Sequence, residues 1–386
     1  MDFGFTEEQR MLQANIKAFM EKEIIPLASE RDRNGPLTRQ ETVAYIKKLM
    51  PFGFYNGDQP QEYGGMGIDS KTHGLIYEEL AYAWAGLAGT VNLAEVITMP
   101  LFPEDIRKKF IPRIAAGELI HCAGITEPNA GTNSAALETT ATLEGDHYVI
   151  NGTKTWISDG TIADVCVLLA TTDKSLGPKG ISLFLVEQER SPFQVRELHK
   201  MGLRAFPTAE LIFDNCRVPK ENNLMHEEGS QSGYLWMMKT FDRFRPQWAL
   251  HAVGISQAAI DASVKYARER LQFGKAIGSF QLVQNMIYEM VAETEASRLL
   301  AYRALDMLDK GEKCRWESSL AKGYATEAAV RVTSNAIEIH GAMGLSEDYP
   351  IERYFRDARA WTIPDGTTEV QKLIVGREKL GISAYV

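Results

Sequence analysis

The chain has 386 residues, 45% of them hydrophobic and 24% charged, with a formal net charge of −9. That is a globular composition for two or three domains, long enough to bury a large core without covalent staples. The acidic balance without any Lys/Arg block excludes a nucleic-acid surface. The dispersed cysteines (Cys122, Cys166, Cys216, Cys314) and histidines exclude a disulfide frame and a zinc spacing, and fit thiols in a reducing compartment.

Met1-Asp2-Phe3-Gly4-Phe5 has neither a basic region nor an apolar signal core, and no stretch approaches the apolar length of a membrane span. The expected location is cytoplasmic. Thr6-Glu7-Glu8-Gln9 reads as a capping box, followed by Leu12, Ile16, Phe19 and Met20 at helical spacing until Pro26 stops the run. Helical patterning continues to about residue 118, interrupted by loops such as Pro60 to Gly65. From 119 to 228 the pattern changes to short β-rich runs: Val149-Ile150, Cys166 to Ala170, Ile181 to Val186, Val195, Leu211 to Phe213 and Val218-Pro219. Asn151-Gly152 reads as a turn between strands, and Gly145-Asp146 and Gly177-Pro178 as further breaks. Closely spaced strands with local turns predict an antiparallel barrel or sandwich. After Gly229, long helical stretches run from Leu235 to Leu271, Phe280 to Lys310 and Trp316 to Ile339, which predicts a bundle. The expected architecture is mainly α with a central antiparallel β-barrel: residues 1–118 helical, 119–228 barrel, 229–386 helical bundle.

Five segments carry candidate chemistry. Gly124-Ile125-Thr126-Glu127-Pro128-Asn129-Ala130-Gly131-Thr132-Asn133-Ser134 combines bare backbone amides with hydroxyls, suited to a flavin or a pantetheine chain; a plain entry loop uses the same letters. In Asn151 to Gly160, Trp156 and Ser158 alternate along a strand, so an indole and a hydroxyl share one face and could cover an aromatic ring and bond its edge. A core Trp beside a surface Ser is the alternative. Arg270, in Arg268 to Lys275, offers a guanidinium that matches a pyrophosphate, or is part of a solvated helix end. Glu338-Ile339-His340-Gly341-Ala342 is a glycine turn whose backbone could meet a nucleotide, or an ordinary C-cap. There is no GxGxxG after a strand, so a Rossmann site is not indicated. In Ile363-Pro364-Asp365-Gly366-Thr367-Thr368-Glu369, Asp365 stands before a Gly-Thr turn as a helix cap or as a base.

Taken together these segments resemble the acyl-CoA dehydrogenase family. The resemblance runs from Phe5-Thr6-Glu7-Glu8-Gln9 to Val375-Gly376-Arg377-Glu378, with specific signatures at Ile125 to Ser134 and Glu338 to Asp357, where Arg353 and Asp357 fall at the family's spacing. Met201-Gly202-Leu203-Arg204 and Arg217-Val218-Pro219 match its barrel. The resemblance implies a helical domain, a small β-barrel and a C-terminal four-helix bundle, assembled as a homotetramer around FAD. It implies flavin-ring contacts from Ile125, Thr126, Trp156 and Ser158, and nucleotide contacts across a subunit interface from Arg270, Gln281, Glu338, Ile339, Gly341 and Ala342. Thr367 and Glu369 then face the diphosphate, and Thr132, Asp242 and Arg245 face the arm of a CoA thioester.

The departures narrow the expected substrate. Most of the family carries Glu as the base before Gly-Thr, and some members carry it before the arginine that matches Arg245; here these positions are Asp365 and Phe244. The resemblance therefore assigns the base to Asp365. Asp is one methylene shorter than Glu, so its oxygens retreat by about 1.5 Å, and a compact, branched or ring-bearing α-carbon would fill the space. Phe244 and Trp248, at i and i+4, lie on one helix face and narrow an acyl cavity, or simply pack the core. A shortened base with a compact pocket resembles the branch acting on cyclohexane-1-carboxyl-CoA, whose members carry Asp here, with electrons passing to an electron-transferring flavoprotein. A diene-forming relative would need a second acid–base group, for which Glu95 is the candidate. A short- or branched-chain acyl-CoA dehydrogenase is a further alternative. A nitroalkane-oxidase-like flavoenzyme, disfavoured by Asp242 and Arg245, and a non-catalytic flavin-binding protein are readings of other classes. Asn133, Ala342, Glu369 and Pro364 also depart from the family's usual residues.

Overall fold

The computed structural model describes residues 4–93, 103–225 and 232–384. Regular structure starts at the capping box. The Thr6 hydroxyl accepts the Gln9 backbone N–H at 3.1 Å and Gln9 Oε1 accepts the Thr6 N–H at 3.0 Å, opening α1 (Glu7–Glu23). Pro26 does not end the helical run. It occupies the first turn of α2 (Ile25–Arg33), where a missing N–H costs nothing, and the break falls at Ile24. The helices α3 (Arg39–Leu49), α4 (Ser70–Leu93) and α5 (Glu104–Ala115) follow. α4 is kinked at Trp84, whose φ of −162° and ψ of 98° leave the helical region. Ile16, Met20, Ile46, Leu80, Trp84 and Phe110 meet in one core here.

The strands are β1 (His121–Gly124), β2 (Thr140–Glu144), β3 (His147–Ser158), β4 (Val165–Thr171), β5 (Ile181–Glu187), β6 (Gln194–Glu197) and β7 (Thr208–Pro219). They form one sheet in the order β1-β4-β2-β3-β7-β6, with β5 also on β4. This corrects the expected antiparallel barrel in one respect. β1 and β2 both pair with β4 in parallel, so the sheet is mixed, and among the described residues no pairing closes β6 onto the opposite edge. β4 takes the centre because every residue of Val165–Thr171 is buried, as its unbroken apolar run requires.

Asn151-Gly152 is a second correction. The pair lies inside β3, at a register shift against β7, and the turn into β3 is Gly145-Asp146. The Asn151 carboxamide accepts the Asn215 backbone N–H at 2.7 Å, so its hydrogen bonding goes across the sheet instead of into a hairpin. Gly152 has φ of 153°, and a Cβ there would stand 2.7 Å from the Thr139 Cα.

The last part holds α6 (Gly233–Glu269), a two-stranded hairpin of β8 (Leu271–Gln272) and β9 (Lys275–Ala276), then α7 (Gln281–Asp309), α8 (Arg315–His340), α9 (Ile351–Trp361) and α10 (Thr368–Leu380). α6, α7 and α8 pack on one another, α4 lies along α6, and α9 and α10 lie against α8.

One polar joint ties all three parts together. From α9, Arg356 donates to the Met201 carbonyl at 2.9 Å and to Asp32 of α2 at 3.3 Å, while buried Asp357 accepts the Leu203 backbone N–H. Burial, reinforced by the nearby Asp32 charge, pushes the Asp357 carboxyl up to about 7. A carboxyl raised in the folded state contributes stability that is complete below its unfolded value and is lost as pH rises through the folded one. Asp357→Asn is therefore expected to flatten the fall in melting temperature between about pH 4 and about pH 7, measured by thermal denaturation.

Candidate active site

The segment between α9 and α10 cannot continue either helix, because Pro364 lacks an N–H and Asp365 and Gly366 have φ of +54° and +95°. The left-handed region is costly for an aspartate. What holds it is a set of donors aimed at the loop's carbonyls. Lys322 Nζ reaches the Thr362 and Gly366 carbonyls at 3.2 and 2.7 Å. Gln371 Nε2 reaches those of Asp365 and Gly366 at 3.0 and 2.8 Å, and Arg245 Nε that of Asp365 at 3.4 Å. At Gly366 a Cβ would meet the Gln371 amide at 2.8 Å, so the strap requires glycine.

The half-buried Asp365 carboxylate accepts the Trp248 indole N–H on Oδ2, and among the described residues no hydrogen bond occupies Oδ1. Trp248 is stacked between Phe244, at 5.8 Å and 10°, and Trp361, at 4.8 Å and 26°. The i, i+4 spacing of Phe244 and Trp248 thus builds one aromatic face, closed by His251 edge-on to both tryptophans at 5.0 and 5.1 Å. Burial holds the His251 imidazole at about 3, so it is neutral. Burial also raises the Asp365 carboxyl, and outweighs the Trp248 hydrogen bond and the Arg245 and Lys322 charges that oppose it. Such a group is a better proton acceptor than an exposed aspartate.

Arg245 is 5% exposed and turns toward this loop, with Nη1 at 3.3 Å from both Asp242 Oδ1 and Ser319 Oγ. Burial raises the Asp242 carboxyl against the pull of Arg245. Thr132 is exposed on the loop between β1 and β2. Thr367 is the residue before α10, and the Glu369 backbone N–H, assisted by the Thr367 hydroxyl, holds the exposed Glu369 carboxyl below its ordinary range.

A second group gathers on the sheet. The Thr126 carbonyl accepts the Thr155 N–H at 2.9 Å, placing Ile125 and Thr126 beside the end of β3 that carries Trp156 and Ser158. The alternation expected for Trp156 and Ser158 is broken: Trp156 has φ of +59° within a register shift between Lys154 and Ile157, and a bulge, not strand alternation, aims its indole. Under this patch, fully buried Lys154 bonds the Ile125 carbonyl at 3.1 Å and Glu127 Oε1 at 2.7 Å. Burial acts to raise Glu127, but Lys154 and the backbone N–H groups of Glu138 and Thr139 hold it below the usual carboxylate range. The result is an indole 58% exposed beside rigid backbone, an uncovered aromatic face of the kind a flavin ring would cover.

A third group sits at one end of the bundle. Arg270 ends α6 and Gln281 begins α7, both exposed, and the β8–β9 hairpin between them turns at Phe273-Gly274. Four residues before Arg270, Tyr266 stacks on His340 at 4.3 Å, which brings in the α8 end. There Glu338, Gly341 and Ala342 are exposed and Ile339 is buried. Along α8, Ile339 lies about 25 Å from Lys322 and hence from the Asp365 loop. One protomer thus separates the candidate nucleotide residues from Asp365, the arrangement a site shared with a neighbouring subunit needs. Glu95 lies outside the described residues.

Sequence reasoning passed over Lys322, Gln371 and Trp361. The signal for Lys322 was present: a lone cation at helical spacing among Ser318, Ser319, Ala325 and Thr326, all on the buried side of α8.

Comparison with known proteins bears on the whole chain. Residues 6–118, 122–216 and 231–380 match, respectively, the N-terminal, middle and C-terminal domains of acyl-CoA dehydrogenase. The chain is 37% identical over 391 residues to glutaryl-CoA dehydrogenase of Desulfococcus multivorans, covering 99% of each. Butyryl-CoA dehydrogenase from Megasphaera elsdenii superposes with a TM-score of 0.92 at 34% identity, over 98% of this chain and 100% of that one. A glutaryl-CoA dehydrogenase from Mycobacterium smegmatis in complex with FADH2 superposes at 0.91 with 25% identity, over 99% and 97%.

The Lys154–Glu127 pair gives a direct test of how the sheet patch is held. Removing one partner leaves the other charge buried and unpaired, so Glu127→Gln is expected to cost about 3–5 kcal/mol in urea denaturation.

Proposed function

This chain belongs to the FAD-dependent acyl-CoA dehydrogenase family, oxidoreductases acting on the CH–CH bond of acyl-CoA thioesters, and from that premise we propose that it converts cyclohexane-1-carboxyl-CoA to cyclohex-1-ene-1-carboxyl-CoA, with Asp365 as the base. The observation that carries this reading is the short carboxylate fixed by Trp248 within the stacked face of Phe244, Trp248 and Trp361. A straight acyl chain leaves the methylene missing from Asp365 unfilled. A ring at the α-carbon fills it and lies flat against aromatic walls.

FAD, when bound, supplies the acceptor for the β-hydride. The chain's own residues supply the rest. Oδ2 of Asp365 is engaged by the indole, which orients Oδ1 toward the α-carbon and makes that oxygen the proton acceptor. The backbone N–H of the base donates to the thioester carbonyl and stabilises the enolate that develops as the α-proton leaves. Ile125, Thr126, Trp156 and Ser158 cover the flavin ring. Thr367 and Glu369 meet its diphosphate. Arg270, Gln281, Glu338, Ile339, Gly341 and Ala342 of a neighbouring subunit meet its nucleotide end. Thr132, Asp242 and Arg245 position the CoA arm, and Phe244 bounds the acyl cavity.

A homotetramer follows from the same reading. It is supported by apolar side chains left bare at the hairpin and along α7, with Phe273 93%, Leu282 79% and Tyr288 72% exposed. The divisions at 118 and 228 are the domain boundaries, an electron-transferring flavoprotein takes the electrons, and the cytoplasm is the compartment. Among the described residues no helix is long and apolar enough to cross a membrane.

The test is anaerobic mixing of the holoenzyme with cyclohexanecarboxyl-CoA, cyclohexenecarboxyl-CoA or butyryl-CoA while the flavin band is followed. The saturated ring thioester should bleach it fastest, on an acidic limb above the ordinary aspartate range, and Asp365→Ala should slow it by about 10²–10⁴-fold. Fastest bleaching by the ring monoene assigns the diene-forming reaction instead, and by butyryl-CoA removes the ring from the account.

A further inference from the structure

A lysine with no solvent exposure on a face of small residues needs a reason, because burying an ammonium is costly. Among the described residues Lys322 makes no hydrogen bond to a carboxylate. Its hydrogen bonds go to the carbonyls of Thr362 and Gly366, which bracket Asp365 in the chain. We propose that Lys322 is a positioning residue for the base: it straps the left-handed Asp365 loop to α8 and sets the field in which the carboxylate gives up and takes its proton. This rests on the reading of Asp365 as the base.

The geometry divides the work among three helices. Arg245 from α6 and Gln371 from α10 hold the carbonyl of Asp365 itself, and Lys322 from α8 pins the loop on either side of it. Loss of the Lys322 strap leaves the Thr362 carbonyl without that donor, while the Gly366 carbonyl keeps Gln371. The loop then remains attached but can pivot. Displacement of a base by about 1 Å is enough to cost about 100-fold in rate without loss of fold.

The electrostatic part is separable from the strap. The charged groups facing Lys322 are Asp365 from the loop, Arg245 from α6, Glu327 from α8 itself and Glu369 from α10. Burial draws the amine down to about 7, with Asp365 opposing. An ammonium has three donors and a neutral amine two, so both carbonyls stay bonded on either side of that titration. Only the charge beside Asp365 changes. As the cation it favours ionised Asp365, so removing it raises the base's apparent pKa.

The experiment compares wild type, Lys322→Met and Lys322→Arg as flavin-loaded holoenzymes, measuring bound FAD, melting temperature, and kcat and KM across pH with whichever thioester bleaches wild type fastest. Lys322→Met should keep its FAD and its KM within about threefold, lose about 10–100-fold in kcat, and move the acidic limb of kcat/KM to higher pH. Lys322→Arg, which keeps charge and donors, should return the limb to its wild-type position. If Lys322→Met does not hold flavin, Lys322→Arg alone decides: a limb in the wild-type position supports the proposal, and a displaced one contradicts it. Wild-type kcat per bound FAD with an unmoved limb in Lys322→Met overturns the role of Lys322 and leaves Asp365 standing. No bleaching of wild type by any thioester removes the reading of Asp365 on which the proposal depends.

Discussion

A carboxylate is useful as a base only where it is held still and partly dry, and both conditions here come from the loop of residues 362–366. Its backbone adopts a left-handed turn that an aspartate resists, and its carbonyls point inward, where unpaired they would each cost about 1–3 kcal/mol. Arg245, Lys322 and Gln371 meet those carbonyls from three separate helices. The bundle's long helices, their small-residue faces and the close seat of α10 on α8 all serve to bring these side chains to one place. Trp248 then fixes the carboxylate itself, and the aromatic stack behind it keeps the site apolar.

The same constraint explains why the joint among α2, the sheet and α9 matters to a site it does not touch. α9 carries Trp361 and leads directly into the Asp365 loop. Arg356 and Asp357 bind that helix to Asp32 and to the backbone at Met201 and Leu203, so the position of the loop is referenced to all three parts of the chain. The sheet patch is fixed by an analogous device, the buried Lys154–Glu127 pair beneath Ile125. Each patch, one on the sheet and one on the bundle, is thus held from beneath by buried polar side chains on its own elements.

Much of this was legible in the residues. The capping box at Thr6, the three long helices and every apolar strand run stand where local patterning puts them, because burial and periodicity act over a few residues. What local patterning could not supply is what depends on distant partners. Asn151-Gly152 has the letters of a turn but finds Asn215 across the sheet. The strand at 147–158 alternates in sequence, yet a bulge redirects Trp156. Parallel pairing of β1 and β2 with β4 joins segments with no local signature. At the site, Asp365, Phe244 and Trp248 were visible through spacing and resemblance. Lys322 and Gln371 act on backbone carbonyls, a role for which Gln371 carries no sequence signal and Lys322 only its spacing among small buried residues.

In the proposed reaction the length of the base matches the shape of the substrate. The most direct measurement is the ratio of flavin bleaching rates for cyclohexanecarboxyl-CoA and butyryl-CoA in wild type and in Asp365→Glu, with Trp248 and the rest of the wall intact. Extending the carboxylate by one methylene should push it into the space the ring occupies, so the ratio should fall by about tenfold or more as the straight chain gains on the ring. An unchanged ratio, or one that rises, contradicts the claim that Asp365 is short because the substrate is wide.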